Sequence, residues 1–388
     1  MARPPTEQGT GGLLDAARGP MHPLAARTLE AALPLAFADP TRVHAPGRRA
    51  RALLDTAREV LADALGARPD ELSLHPDAET ALEIGLAGLR HARRRVGSRV
   101  LTGATERSVV LLQPGTEPHL PVDHTGRVGV EPYAGALTGA DVAAAVLQSA
   151  NAEVGTRQPV AEVDALCRAA GVPLLLDLTA SLGRDDPHTF RRGSAGSVVV
   201  ADAASFGGPP MGLLAVRTGT RWSLPGPRRE AEQGREHAPP WVPLVLAAAE
   251  AWRQTAAVHE TEERAARALV DRVRRAAEAV PDVEVLGDPL DRLPHVVTFS
   301  VLYADGEVLL EELGARGLVV ASGSACTSSV LRPSHVLAAM GVLTHGNVRV
   351  TLPLGSVSPT READVERLCR QLPDAVATVR GRLGTEAL

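Results

Sequence analysis

The sequence predicts an α/β protein whose core is a mainly parallel sheet covered by helices. Short apolar runs alternate with segments of helical periodicity from 71 to 217, and glycine-rich turns stand at the ends of those runs. At 388 residues the chain is long enough for a large core and two domains. The net charge of −5 implies no strong attraction to nucleic acid. No apolar run is long enough to span a membrane and no charged-then-apolar leader opens the chain, so a cytoplasmic protein is expected. The three cysteines, Cys167, Cys326 and Cys369, are widely spaced and suggest neither a disulfide framework nor a metal site.

Each element has its own signal. Arg51 to Leu65 reads as a helix, with Leu53, Leu54, Val60, Leu61 and Leu65 at helical spacing. Glu71–His75 reads as a strand, and a helix follows from near Ala78. Asp77 and Glu79 at its start are ordinary N-terminal acids. Arg99–Thr102 is the next strand, and Arg107 beyond it reads as a solvated arginine. Val160–Cys167 forms an amphipathic helix, and Val172–Asp177 a buried strand ending on an acid. Thr218–Pro240 is polar and proline-rich, and Val242–Ala279 reads as one long helix. His295–Ser300, Gly317–Ala321 and Asn347–Leu352 read as strands. Helices open at Asp305 and Pro333, and a terminal one spans Arg361–Arg380.

The stretch with the most chemistry is Ala321-Ser322-Gly323-Ser324-Ala325-Cys326-Thr327-Ser328-Ser329. Small residues flank the thiol, so nothing bulky covers the sulfur. An uncovered thiol is a candidate nucleophile or sulfur carrier. The plainer alternative is a surface cysteine in a tight turn.

This run resembles the S-G-S-A-C-[ST]-S loop of the cysteine desulfurases, pyridoxal-phosphate (PLP) enzymes of the class V aminotransferase fold. The resemblance extends from about Leu14 to about Leu372. It implies a large domain at 15–257 with a mainly parallel sheet of the seven-stranded type. A smaller C-terminal α/β domain, made of 1–14 and 258–388, would carry the Cys326 loop. It also implies a dimer. Cys326 would carry sulfur as a persulfide. Asn347–Leu352 resembles the family's strand whose arginine grips the substrate carboxylate, which makes Arg349 a substrate-binding residue. The segments holding Asn151 and His44 keep most of the family's shape and place those two residues beside it.

The cofactor positions read differently. Asp177 stands where the family pairs an aspartate with the pyridine nitrogen. The phosphate-binding threonine is Glu79 here, the ring-stacking histidine is Arg107, and the ring-hydroxyl asparagine is Ala152. The glutamine after Asp177 is Ala180. In Ser197–Arg217, aligned on Phe206-Gly207-Gly208-Pro209, the phosphate serine is Asp202, the histidine Ala204 and the Schiff-base lysine Ser205. The chain contains no lysine at all, and arginine cannot replace it, because a guanidinium stays protonated. Two acids would also face the phosphate, each unit-charge pair at about 4 Å opposing by roughly 4 kcal/mol near a surface. The expectation is therefore no PLP, no other cofactor, no metal, and no desulfurase activity by the chain alone. It would instead take a persulfide on Cys326 and relay it to an acceptor protein. The alternative is an inactive subunit that dimerises with an active cysteine desulfurase and supports or regulates it. A third possibility gives the emptied pocket another ligand, with Ser205 as a nucleophile. Neither nucleic acid nor membrane is expected as a partner.

Overall fold

The computed structural model describes residues 11–185, 195–323 and 333–383. Helices α1 (Pro23–Ala32) and α2 (Ala45–Ala64) precede β1 (Leu72–His75) and α3 (Ala78–Ala92). Then come β2 (Arg99–Leu101), the short α4 (Ser108–Leu111), α5 (Val130–Leu137), β3 (Val142–Gln148) and α6 (Val160–Ala170). β4 (Leu174–Asp177), β5 (Val198–Asp202) and β6 (Gly212–Val216) complete the large sheet. Its order is β1-β6-β5-β4-β3-β2. β2 to β5 pair in parallel, and β6 runs antiparallel between β5 and β1. The sheet thus has six strands among the described residues, where the resemblance implied seven, and it is mainly parallel as expected.

Side-chain alternation sorts the strands between two covered faces. Leu176, Val199, Ala201, Leu213 and Ala215 pack toward α2 and α7 (Val242–Ala257). Leu175, Val198, Val200 and Leu214 point the other way, onto α3. The parallel strands therefore read as continuous apolar runs, because both sides of the sheet are buried.

A second, antiparallel sheet has the order β7-β8-β9 (Val283–Val285, Val296–Val301, Asn347–Thr351). It packs with α8 (His259–Glu278), α9 (Gly306–Ala315) and α11 (Arg361–Leu383), and Leu14 joins this core. The remaining helix, α10 (His335–Met340), follows the Cys326 loop in sequence.

Three expectations change. The long helix of 242–279 is two helices, interrupted at Val258 with φ −116° and ψ 9°. The break lets α7 lie in the large core while α8 lies in the small one. Gly317–Ala321 is no strand: it makes only single bridges, Val319 to Leu13 and Ala321 to Arg349. Helix α2 starts six residues earlier than its apolar spacing indicates, because His44 caps it, Nδ1 accepting from the Gly47 N–H at 3.1 Å.

Candidate functional site

Parallel strands deliver their C-terminal ends to one edge of a sheet, where ligands of such folds collect. Here that edge carries Asp177 at the end of β4 and Asp202 at the end of β5. Glu79 enters from the first turn of α3, and Arg107 from the residue before α4. Asp77 is the N-cap of α3, its Oδ1 accepting from the Thr80 N–H at 2.7 Å. Glu79 is free of that duty and ion-pairs with Arg107. Arg107 also donates to Thr179 Oγ1 at 3.0 Å, and Arg18 stands 3.6 Å from Glu79. Arg107 is thus no simple solvated arginine; it ties α3 to the segment after β4.

Asp177 is buried. Its Oδ1 accepts from the Thr179 N–H at 2.8 Å, and its Oδ2 has no hydrogen-bond partner among the described residues. Burial pushes its pKa up, and Arg107 and the Thr179 hydrogen bond pull it back. Asp202 caps the turn after β5, accepting from the Ala204 N–H at 2.9 Å, and burial raises its pKa too. The Ser205 hydroxyl donates to the backbone carbonyls of Leu182 (2.8 Å) and Asp202 (2.7 Å). A hydroxyl so engaged, with no base at hydrogen-bond distance, is not set up as a nucleophile.

Gly212 lets β6 run against this corner. A Cβ there would lie 2.1 Å from the Asp77 carbonyl oxygen and 2.7 Å from its carbon, and backbone at a helix start cannot swing aside. Gly212→Ala is expected to displace the start of α3 and lower stability by about 1–3 kcal/mol, read by chemical denaturation. An unchanged unfolding midpoint would contradict this packing.

The flanks of the Cys326 loop meet at a second buried acid. Glu153 Oε2 accepts from Ser334 Oγ at 2.8 Å, on the far side of the loop. On the near side, a Cβ on Gly323 would lie 1.9 Å from Glu153 Oε1, so any larger residue would push the Glu153 carboxylate aside. The Gly323 N–H donates to Asn347 Oδ1 at 3.0 Å. Burial raises the Glu153 carboxyl to about 7, against Ser334 and Arg349, which lower it. Arg349 is buried on β9, 3.9 Å from Asp15, and its Nε has no partner among the described residues.

Cys326 lies outside the described residues. Asn151 is committed to its own turn: Oδ1 accepts from the N–H groups of Glu153 (2.9 Å) and Val154 (3.0 Å), and Nδ2 donates to the Thr105 carbonyl (3.1 Å). His44 caps α2, Ala152 is exposed, and Ala180 packs beside Ala150 and Leu293. The structure therefore gathers Glu79, Arg107, Asp177, Asp202 and Ser205, while Asn151 and His44 serve the backbone. Reading the sequence missed Glu106 and Glu153. Glu106 is fully buried and accepts from the Gln148 N–H at 3.0 and 3.1 Å; burial lifts it to about 8. Both acids sit inside the motif segments at 105–108 and 151–158, which is the signal that pointed to them.

The mainly parallel sheet and the smaller C-terminal domain are those of the class V aminotransferase fold. The Aminotransferase class-V family model matches residues 216–368. A NifS-like protein of known structure superposes with TM-score 0.82 over 93% of this chain and 98% of its own, at 20% identity. DndA from Streptomyces lividans superposes with TM-score 0.72 at 27% identity, over 87% of this chain and 98% of its own. A cysteine desulfurase of Cereibacter sphaeroides is 32% identical over 92% of this chain and 94% of its own length. An IscS-like cysteine desulfurase of Mycobacterium tuberculosis is 34% identical over 94% and 96%. The chain belongs to the cysteine desulfurase family of class V aminotransferases. Among the described residues, no helix is long and apolar enough to cross a membrane.

These relatives correct the expectation of no cofactor, because cysteine desulfurases of this fold are PLP-dependent and the family points to PLP. The pairing within the site weakens the repulsion a phosphate would meet. Glu79 is paired with Arg107 and Arg18, and burial favours the neutral form of Asp202, so two bare acids do not confront a phosphate. The unpartnered Asp177 Oδ2 also suits a protonated ring nitrogen. Covalent attachment does not fit. Ser205 stands at the lysine position with its hydroxyl bound to backbone, and the chain has no lysine side chain elsewhere.

Proposed function

We propose that this chain carries sulfur as a persulfide on Cys326 and hands it to an acceptor protein. The observation that carries this reading is the run Ser322–Ser329 within a chain similar over its whole length to cysteine desulfurases. The flanks support it, since Gly323 lies beside the Glu153 carboxylate and Ser334 donates to it, which brings residues 323 and 334 to one place. The other thiols are poor candidates. Burial holds Cys167 up at about 12 and raises Cys369. The step proposed is thiolate attack by Cys326 on the outer sulfur of a donor persulfide, such as one on an active desulfurase. A new S–S bond forms, the donor S–S bond breaks, and the donor leaves as a thiolate without net oxidation. Transfer to the acceptor repeats it. Arg349 is the proposed anchor for a substrate carboxylate, and a reducing, cytoplasmic setting suits a free thiol.

Intact mass tests this. After incubation with L-cysteine and an active desulfurase, Cys326 is expected to gain one sulfur that reductant removes, and Cys326→Ser to gain none. No gain in the native chain sinks the relay.

A second reading, a subunit that pairs with an active desulfurase, is favoured by one observation. Leu33, Leu35, Phe37 and Val43 are exposed between α1 and α2, an apolar set suited to a subunit contact. Under that reading, co-purification with the desulfurase persists in Cys326→Ser, and the desulfurase's turnover changes on mixing.

A further inference from the structure

At the other edge of the large sheet, away from Asp177 and Asp202, lies a cavity of about 470 Å³. Its walls come from the end of α3, helix α6 and the turn that follows it before β4, the turn before β5 and the segment after β6. Four arginines line it, Arg93, Arg168, Arg217 and Arg221, against a single carboxylate, Asp164. That carboxylate is already used: Oδ1 accepts from the Gly196 N–H at 2.8 Å, and Oδ2 pairs with Arg168 at 2.7 Å. Arg217 is fixed by its two terminal nitrogens donating to the Leu65 and Gly66 carbonyls, and its charge is shared with Glu71.

Arg93 and Arg221 are left. No carboxylate pairs with either among the described residues, and Arg93 Nε is buried without a partner there. Both line the same cavity, and Arg93 is held below its usual pKa first by burial and then by the like charge of Arg221. The α3 macrodipole accounts for a cation at Arg93, its C-cap, but not for a second one brought by a different segment. Two guanidinium groups lining one cavity, with no carboxylate paired to either among the described residues, match a multiply charged tetrahedral anion, which each can grip with a fork of donors. The geometry points to this cavity as a binding site for a small phosphate-bearing anion, with Arg93 and Arg221 as its main ligands. The site is independent of the sulfur chemistry at the opposite edge.

Calorimetric titration of the full chain with inorganic diphosphate, at ionic strength held constant with chloride, tests it. Saturable one-to-one binding is expected. The double variant Arg93→Gln, Arg221→Gln should bind at least about tenfold more weakly, because two charge-assisted contacts are lost. Arg107→Gln, at the other edge, should bind as the native chain does. Should the double variant not fold by circular dichroism, Arg221→Gln alone, at an exposed position, gives the same reading. Absence of saturable binding by the native chain overturns the proposal. So does undiminished binding by the folded arginine variant, or loss of binding in Arg107→Gln.

Discussion

Arg58→Ala is expected to destabilise the protein by about 3–5 kcal/mol, the range for removing one partner of a buried ion pair. Arg58 sits on α2 and grips Glu232 with both nitrogens, at 2.8 and 2.6 Å, while also donating to the Leu72 carbonyl at 3.0 Å. Glu232 accepts in addition from the Leu74 N–H at 2.8 Å. That amide belongs to β1, the edge strand of the large sheet, so Glu232 satisfies a strand edge that has no neighbouring strand. Without Arg58 a buried carboxylate keeps Arg235 as a nearby cation but loses its two-pronged partner. Arg58→Met combined with Glu232→Met removes both charges and should recover most of the loss. Urea unfolding of the three proteins gives the comparison. A single-variant loss below about 1 kcal/mol, the level of an exposed pair, would show that this contact does not hold the segment before α7 on the sheet. The consequence reaches the site, because β1 leads directly into α3 and Glu79.

That pair also marks what the sequence hides. Alternating apolar runs announced the sheet, since parallel strands covered on both faces must be continuously apolar. The Cys326 loop was legible as a run of small residues around a thiol, and Asp77 as a cap. Arg58, Arg107 and Glu232 were not, because an arginine that meets a distant glutamate looks in sequence like one that meets water. The break at Val258 was unreadable for a similar reason. The helical pattern continues through it, and only the division between two cores stops the helix. Misjudging Arg107 as solvated had the largest consequence, since it left Glu79 looking unpaired and made phosphate repulsion seem stronger than the site allows.

Between pH 6.5 and 8 the free energy of unfolding is expected to fall by roughly 2 kcal/mol, with Glu106 as the main cause. Its carboxyl, ordinarily at 4.5, is lifted to about 8 by burial first and by Asp177 second, against the hydrogen bonds from Gln148. A raised acid binds its proton more tightly in the folded state than in the unfolded one. Its stabilisation is therefore complete below 4.5 and is lost as pH rises through about 8. Glu153, raised to about 7, loses its share earlier. His295 acts in the opposite sense: burial and the neighbouring Arg184 and Arg361 hold it well below 6.5, so it favours unfolding only where the unfolded histidine is protonated. That opposing effect, shared by His22, is half gone at pH 6.5 and fades by about pH 7.5, so it offsets only a minor part of the carboxyl slope. Glu106→Gln puts a neutral amide where the native acid holds a proton, keeping an acceptor for the Gln148 N–H. Its unfolding free energy should fall less than half as much across the window, the remainder coming from Glu153, and exceed that of the native chain at pH 8. Equal slopes for the two proteins would mean that Glu106 is already ionised at pH 6.5. In that case a charged carboxylate lies buried beside Asp177, and the polar network beneath the candidate site must stabilise it.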